Sequence, residues 1–594
     1  MRSPRAWSYV TYLASTVVLG ACPTTPVATD TDSDPTTGSQ TQTPSSDTDE
    51  CPVGDLGCPC TQGGGCNPGL DCSPDQTCVP SEPTTTVGPE ATTTTSTTDE
   101  PGTTVTGGDP STTTGEPTSC DPAGNQPNQG CLEIDPSRPF CSESQVCGDC
   151  TVLPPDGCAL VDPDKPLCNP DDGQCVACTL DDQSLCTGAT PACNPANNTC
   201  EGCFEHSHCP DSACDILKRE CFPLDKVLYI RHGLESGGNC TNNVIEGGYK
   251  DAPHCNANLA IERAQSQGPT SGWTFKFLVP IDAMGYHGDI TIPSVDVDEP
   301  ISYAFIHEGS FSQEELSQQQ HTRFQSSDAV LTVGANIVAY VNNFALYSVS
   351  NQDDNAVGVG CLQNSTVYLD DSFIRDTRGS GIRSLGCDVY MRRSSVFKSR
   401  TEGIELNCAD HACELHMSNS YVSDNQYVQG DGGGGIVAEN ATLDIVFSGI
   451  IGNNAEFDPN DMAARGDSIF CPNGNVEGTI RNSVIGRKQL GNMYSIKCPG
   501  MLDVQTSLID SDGFKMNNKK AAGEDILGYF LTNGVTGARP INPDPKDEMD
   551  PDKKPGDLRF AVWKKGDPVV DYDGQPREAK DDQIDYVGAD IMGN

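Results

Sequence analysis

A short phrase that recurs in the C-terminal half of the chain places polar side chains of the same kinds at corresponding positions. The phrase has the form apolar-x-apolar-x-x-Ser-x-apolar, as in Val367-x-Leu369-x-x-Ser372-x-Ile374. Successive side chains of an extended segment point to opposite sides, so the x residues beside Val367 and Leu369 point away from the apolar ones. Across six copies these outward residues form two columns: Tyr368, Tyr390, His416, Asp444, Thr479 and Asp503, and Asp370, Arg392, Ser418, Val446, Arg481 and Gln505.

The two columns suit a site that binds a sugar chain. Aromatic rings stack on sugar rings, and neighbouring carboxylates, arginines and amides hydrogen-bond to sugar hydroxyl groups. The sequence therefore predicts a glycan-binding face, and a mixed polar surface that binds nothing is the alternative. The predicted binding residues are Tyr368, Asp370, Tyr390, Arg392, His416, Asp444, Arg481 and Asp503.

No set of residues in the sequence forms a complete metal site. The segments 510–513 and 571–574 read Asp-Ser-Asp-Gly and Asp-Tyr-Asp-Gly, but both lack the third acid or amide and the distal Glu of a calcium loop. His206-Ser-His208-Cys209 has zinc-ligating residue types, but Cys209 belongs to a cysteine repeat and is expected to be oxidised. We therefore predict no metal ligand and no cofactor, and calcium is left open.

The triplet Arg231-His232-Gly233 resembles the phosphohistidine motif of histidine phosphatases. Those enzymes need an α/β domain with further His and Arg residues after alternating helices, a pattern that the sequence does not show. We therefore interpret the triplet as a chance match.

Repetition of the serine phrase predicts the fold that positions the outward side chains. Its serines lie 22 to 35 residues apart, and a second phrase, Gly or Ser followed by Ile or Val, interleaves with it. Two short strands per repeat and loops of variable length are typical of stacked coils. Residues 226–594 resemble a right-handed parallel β-helix of the pectate-lyase-like superfamily, so an all-β domain of this kind is predicted. A β-sandwich, which also uses short alternating strands, is the alternative.

The resemblance implies a polysaccharide lyase or glycoside hydrolase as the enzymatic alternative. Hydrolases of this fold carry Asn-Thr-Asp, Asp-Asp, Gly-His-Gly and Arg-Ile-Lys motifs, of which this chain has only Asp370-Asp371. Lyases need calcium-binding acids beside an Arg or Lys base, a role that Arg392 or Arg481 could take only if acids gather beside them. The sequence therefore favours a non-catalytic binding or adhesion module, and leaves the enzyme open.

Cysteine counts predict disulfides that form within each segment. The chain has 31 cysteines; setting Cys22 aside leaves six in 51–78, sixteen in 120–221 and eight in 240–498. Even numbers favour disulfides in an oxidising compartment, and zinc at the Cys-x-x-Cys pairs is the alternative. The sixteen cysteines form four repeats of four: 120/131/141/147, 150/158/168/175, 178/186/193/200 and 203/209/214/221.

Stacked coils also predict partners for the last eight cysteines. Adjacent coils lie about 4.8 Å apart, which suits the reach of a disulfide. The predicted pairs are Cys240 with Cys255, Cys361 with Cys387, Cys408 with Cys413 and Cys471 with Cys498.

The N-terminus has the parts of a secretory signal peptide. Two arginines precede an apolar stretch over 6–19, and Gly20-Ala21 stands directly before Cys22. This ending resembles the lipobox of bacterial lipoproteins, which implies a lipid on the Cys22 thiol that holds the chain to a membrane. In that family, an Asp directly after the lipidated cysteine is typical of inner-membrane lipoproteins. Pro23 stands at this position here, which indicates the outer membrane and the cell surface. An ordinary signal peptide next to a chance cysteine is the alternative.

Composition gives the remaining boundaries and excludes one class of partner. The net charge is −48, and no Lys or Arg occurs between Arg5 and Arg138, which excludes nucleic acid as the main partner. Segments rich in Thr, Ser and Pro predict disordered linkers. The cysteine-rich part resembles the stalk regions of myxobacterial surface proteins. The predicted order is a signal peptide at 1–21, a tether at 22–50, a six-cysteine module at 51–78, a linker at 79–119, four repeats at 120–221 and a β-helix at 226–594.

Overall fold

The structure is a computed structural model with two compact units, Met1–Thr112 and Thr113–Asn594. It describes residues 70–72, 78–80, 131, 140–142, 147–153, 157–170, 172–179, 182–194, 197–231, 240–268, 272–278, 289–308, 323–325, 329–347, 356–408, 411–427, 434–455, 466–473, 475–487, 494–498, 501–510, 518–520, 558–572, 574–577 and 580–589. The predicted signal peptide, Cys22 and the tether lie outside these residues, as does the linker beyond Pro80. Among the described residues, no helix is both long enough and apolar enough to cross a membrane.

Three long parallel sheets dominate the second unit. Sheet A consists of Val227–Ile230, Trp273–Phe277, Ile301–His307, Ile337–Asn342, Thr366–Asp370, Asp388–Arg392, Cys413–Ser418, Ala441–Val446, Glu477–Arg481 and Met501–Gln505. Sheet B consists of Ile290–Ile292, Leu331–Val333, Val359–Leu362, Ile382–Leu385, Ile404–Asn407, Ile436–Glu439, Gly466–Phe470 and Tyr494–Lys497. Sheet C consists of Arg323–Gln325, Ala345–Tyr347, Phe373–Arg375, Ser395–Phe397, Tyr421–Ser423, Gly449–Ala455, Val484–Arg487, Leu508–Ile509 and Lys519–Lys520, and Gln426–Tyr427 pairs with its Gly449–Ala455 strand.

The chain visits the sheets in the order A, C, B and then returns to A one coil further on. Every pair of neighbouring strands described in these sheets is parallel, and most pairs keep one register, as Val367 with Val389 and Leu369 with Met391; the register shifts within the Gly449–Ala455 and Gly466–Phe470 strands. These apolar residues point inward and form one continuous core along the coils. The prediction of an all-β parallel β-helix is therefore confirmed, and the β-sandwich alternative is wrong because sandwiches are built from antiparallel strands.

The repeated serine is a structural residue of the turn from sheet A to sheet C. The residue before it has a positive φ in successive coils, as at Arg393 and Asn419. The amide of Ser394 donates to the Ser420 hydroxyl at 3.2 Å, and the amide of Ser420 donates to the Ser448 hydroxyl at 3.3 Å. The corresponding hydrogen bond recurs at the other buried turns. It gives a partner to backbone amides that no neighbouring strand pairs with, which explains why the phrase carries a small hydroxyl residue.

Additional elements cover the sides and one end of the coils. The helix Ala257–Ser266 packs its apolar face, including Ala260 and Ile261, against the core at the N-terminal coil. The hairpin Arg559–Val562 with Ile584–Tyr586 packs Leu558, Trp563 and Val587 on the outer side of sheet C.

The cysteine repeats are small antiparallel hairpins closed by disulfides. Described hairpins pair Leu70–Cys72 with Cys78–Pro80 in the first unit, and Phe140–Cys141 with Cys147–Gly148, Leu167–Asn169 with Gln174–Val176, Ala192–Asn194 with Thr199–Glu201 and Cys214–Asp215 with Glu220–Cys221 in the second. One further helix spans Gly157–Val161, and 3-10 turns span Cys150–Val152, His206–His208 and Leu224–Lys226. The repeats join their first cysteine to the third and their second to the fourth: Cys131–Cys147, Cys150–Cys168, Cys158–Cys175, Cys178–Cys193, Cys186–Cys200, Cys203–Cys214 and Cys209–Cys221.

In the β-helix the structure joins Cys240 to Cys255, Cys361 to Cys387, Cys408 to Cys413 and Cys471 to Cys498. The many disulfides indicate that the chain folds in an extracellular or otherwise oxidising compartment.

Candidate functional site

A ladder of stacked rings runs along the outer face of sheet A. Strand register places Tyr340, Tyr368, Tyr390 and His416 side by side on four successive coils. Their ring centroids are 4.9, 4.6 and 4.4 Å apart, and the interplanar angle falls to 8° between Tyr390 and His416. Because the rings stack face to face, the ladder presents ring edges and hydroxyl groups to its surroundings. The sequence columns began at Tyr368 and missed Tyr340, which stands at the same position of a weaker copy of the phrase.

The second column contains a network of ion pairs. Arg392 makes a bidentate contact with Asp370, with both nitrogen–oxygen distances at 2.8 Å, and Arg393 does the same with Asp371. Glu205 joins the two arginines at 3.1 and 3.4 Å. Burial is the largest single effect and raises the pKa of Asp370, but the charge and hydrogen bonds of Arg392, together with the charges of Arg393 and His206, hold that pKa below its ordinary value.

His416 lies at the open end of the ladder between two carboxylates. Its Nδ1 is 3.3 Å from Asp444, and its Nε2 is 2.8 Å from Glu414. The hydrogen bond to Asp444 is the largest cause of a raised His416 pKa; burial opposes it, and the Glu414 hydrogen bond reinforces it. The arrangement favours an imidazolium that donates from both ring nitrogens.

The fourth cysteine repeat, residues 203–221, packs on the start of the ladder. The Tyr340 hydroxyl donates to Asp215 at 2.8 Å and accepts from the Leu217 amide at 3.3 Å. His206 meets the Tyr340 ring edge to face at 5.7 Å. Lys276 of sheet A also donates to a backbone carbonyl of the repeat, that of Pro210. Tyr340 is fully buried as a result.

An open groove of about 280 Å³ remains between the fourth repeat and sheet A. The fourth repeat contributes Phe204 and Ile216 to its lining. Sheet A contributes Tyr368, Asp370, Tyr390, Met391, Arg392, His416, Met417, Ser418, Asp444 and Val446. Six of the eight residues predicted to bind a glycan therefore lie in one place.

Arg481 and Asp503 do not line this groove. Arg481 makes a bidentate ion pair with Asp567, a carboxylate whose side chain is fully buried. Asp503 accepts a hydrogen bond from Gln505 on its own strand. Asp370 does line the groove, but only 5% of it is exposed, since Arg392 and the fourth repeat cover it.

The other residue sets singled out in the sequence have structural roles or are not described. Sulfur atoms of Cys178, Cys186 and Cys200, and of Cys203, Cys209 and Cys214, cluster within 4.8 Å, but each belongs to a disulfide. His206 accepts from the Cys214 amide through Nδ1 at 3.2 Å. Asp571 accepts from the Gln575 amide at 2.7 Å, as in a turn. His232, Asp512 and Asp573 lie outside the described residues.

The sequence did not identify three residues of the site, Phe204, Glu205 and Ile216. They belong to a repeat that the sequence analysis treated as a spacer, and the groove joins them to strands more than 150 residues away in the chain. The only signal in the sequence was that the fourth repeat carries an aromatic and an acidic residue directly after its first cysteine.

Comparison with known proteins finds a family model that matches part of the chain. Residues 118–227 match the model of a family of unknown function (DUF8331). No curated protein matches the chain. Among solved structures, pectate lyase Pel9A is similar at 12% identity and a TM-score of 0.22, over 60% of this chain and 89% of that one. The fold assignment accordingly depends on the strand order and pairing of this chain.

Proposed function

We propose that the groove over sheet A is a saccharide-binding site and that the chain is a non-catalytic binding or adhesion protein. The observation that supports this most directly is the aromatic ladder, which borders an open groove together with carboxylates, a guanidinium and hydroxyl groups. Binding sites commonly combine an apolar surface with a few fixed polar groups that orient the ligand. Here the Tyr368 and Tyr390 hydroxyls supply such groups.

Ion pairing supports a binding role over catalysis. A lyase needs an arginine or lysine base with acids that hold calcium, but Arg392 is engaged by Asp370 and Glu205, and Arg481 is engaged by Asp567. A guanidinium held in a bidentate pair is a poor base because the pair stabilises its protonated form. The same ion pairs occupy the carboxylates of Glu205, Asp370 and Asp567.

Charge supports a neutral ligand. Glu414 and Asp444 flank the open end of the ladder, and the whole chain carries a net charge of −48. Acidic polysaccharides such as polygalacturonate would be repelled by this field. A neutral chain whose sugar rings offer both apolar faces and hydroxyl groups fits the groove best.

Substitution of Tyr390 tests the proposal. Tyr390→Ala removes the ring between Tyr368 and His416, and we expect binding of a neutral polysaccharide to weaken at least tenfold, which is about 1.4 kcal/mol. Retention of the full-length protein on glucan, xylan, galactan and polygalacturonate would be measured with and without calcium. The assay would also record release of shortened or unsaturated sugars.

The matched control is Tyr249→Ala, because Tyr249 is 56% exposed and does not line the groove. Equal binding by the Tyr390→Ala variant and the wild type would contradict the proposal. Cleavage of a polysaccharide would favour the lyase or hydrolase alternative.

We also propose that a lipid on Cys22 anchors the protein to the outer membrane, so that the groove is displayed at the cell surface. The disulfides support export, and the residues before Cys22 support lipidation. We expect Cys22→Ser to move the protein from the membrane fraction to the soluble fraction and to abolish incorporation of a labelled fatty acid. Unchanged membrane retention in the Cys22→Ser variant would contradict the anchor.

A further inference from the structure

We infer that the fourth cysteine repeat is one wall of the saccharide-binding groove and not only the end of a spacer. This inference rests on the proposed function, because it assigns ligand-contacting residues to the same groove. The observation that supports it is that Phe204 and Ile216 line the same groove as Tyr368, Tyr390 and His416.

The fourth repeat is held on sheet A by contacts that fix its position. Asp215 accepts from the Tyr340 hydroxyl, and Glu205 bridges Arg392 and Arg393. Two disulfides, from Cys203 and Cys209 to their partners, make the repeat itself rigid. Phe204 is adjacent to Cys203 and Glu205, so its backbone is held from both sides.

Comparison of the repeats within this chain shows that the fourth is specialised at these contacts. After the first cysteine it has Phe204-Glu205, where the other repeats have Asp121-Pro122, Thr151-Val152 and Thr179-Leu180. After the third cysteine it has Asp215-Ile216, where the others have Ser142-Glu143, Asn169-Pro170 and Asn194-Pro195. Each of these four residues lines the groove or binds sheet A. A spacer repeat has no physical need for this set.

The two walls are chemically complementary for a pyranose ring. Phe204 and Ile216 offer an apolar surface to the carbon-bound hydrogens of the sugar, and sheet A offers the hydroxyl groups of Tyr368 and Tyr390. The faces of those tyrosine rings are covered within the ladder, so the repeat supplies the apolar contact that the ladder does not. The predicted ligand is a neutral saccharide segment that contacts both the fourth repeat and sheet A.

A consequence concerns the domain boundary. A fragment that begins at residue 226 lacks Phe204, Glu205 and Ile216 and exposes the apolar and aromatic surface around Tyr340. We expect such a fragment to lose the groove even where the β-helix folds. The experiment therefore uses the full-length chain.

The test compares variants by titration with xylo-oligosaccharides and cello-oligosaccharides. We expect Phe204→Ala and Ile216→Ala each to weaken binding about tenfold, and Phe204→Tyr to retain it because the ring is kept. The control is Leu185→Ala in the third repeat, since Leu185 is 46% exposed and does not line the groove. Thermal unfolding of each variant shows whether the fold is kept. If Phe204→Ala does not fold, the binding affinity of Ile216→Ala still tests the inference.

The outcomes separate the two proposals. Loss of binding in Tyr390→Ala with wild-type binding in both Phe204→Ala and Ile216→Ala would overturn this inference and keep the proposed function. No binding of either oligosaccharide by the wild type, or no effect of any of the three alanine substitutions, would overturn both. Weakened binding in the repeat variants with retention in Phe204→Tyr and Leu185→Ala supports the inference.

Discussion

Arg577→Ala is expected to release the C-terminal segment 558–589 from sheet C. The Arg577 side chain is completely buried and donates to Asp585 at 3.1 Å, to the Asn419 side chain at 3.1 Å and to the Ala589 carbonyl at 2.8 Å. Its guanidinium also lies 4.2 Å from the centre of the Phe447 ring. Removing one partner of a buried ion pair costs about 3–5 kcal/mol, because the remaining charge is left without compensation. The Asp585 pair lies within the segment, whereas the Asn419 hydrogen bond and the Phe447 contact join the segment to the coils, so the loss falls both on the segment and on its attachment.

Hydrogen exchange measures this release. The amide of Gly588 donates to the Asn482 carbonyl at 2.8 Å, so it reports attachment of the segment to the coils. If the free energy that holds the segment on the coils falls by about 3 kcal/mol, exchange of the Gly588 amide should become about a hundredfold faster. Lys565→Ala is the control, because Lys565 is an exposed cation of the same segment. Unchanged exchange at Gly588 in the Arg577→Ala variant would show that the hydrophobic contacts of Trp563 and Val587 are sufficient alone.

The sequence predicted the β-helix because its signal is local and repeated. Each copy of the phrase carries the inward apolar residues and the serine of one turn, so the register of sheet A could be derived from the alignment of copies. The match of Tyr368, Tyr390 and His416 on neighbouring strands follows from that register. Stacking at 4.4 Å between Tyr390 and His416 then needs no further information, since neighbouring parallel strands bring corresponding side chains together.

Contacts between distant parts of the chain could not be derived in this way. Glu205 and Arg392 are 187 residues apart, and no periodicity connects them. Because no pattern in the sequence indicates this contact, the sequence placed Asp370 on a solvated face. In the structure Asp370 is almost completely buried. The disulfide pairing within each repeat was likewise open, because four cysteines permit several connectivities and their spacing does not decide among them.

Arg392→Met is expected to destabilise the contact between the fourth repeat and sheet A at neutral pH. The variant leaves the Asp370 carboxylate, whose side chain is 7% exposed, without its bidentate partner. We expect the free energy of unfolding to fall by about 2–3 kcal/mol. This is less than the about 3–5 kcal/mol for breaking a fully buried pair, because the Arg392 side chain is 28% exposed and Arg393 lies nearby. The double variant Asp370→Asn with Arg392→Met should recover most of the loss, since it leaves no buried charge. Chemical denaturation followed at Trp273, which lies in sheet A, would measure both.

The pH dependence distinguishes this pair from a general packing defect. The folded-state pKa of Asp370 is lowered, so its contribution to stability is complete above the pKa of an unfolded aspartate, about 3.9, and is lost as the pH falls through the lower folded value. In Arg392→Met the sign reverses: burial without the cation raises the Asp370 pKa, so the variant should be least stable relative to the wild type at neutral pH and approach it in acid. A constant difference between the two proteins from neutral to acidic pH would mean that Arg392 acts through its methylene packing. In that case the groove would be held by the apolar contacts of the fourth repeat, and the Asp370 carboxylate would be compensated by Arg393.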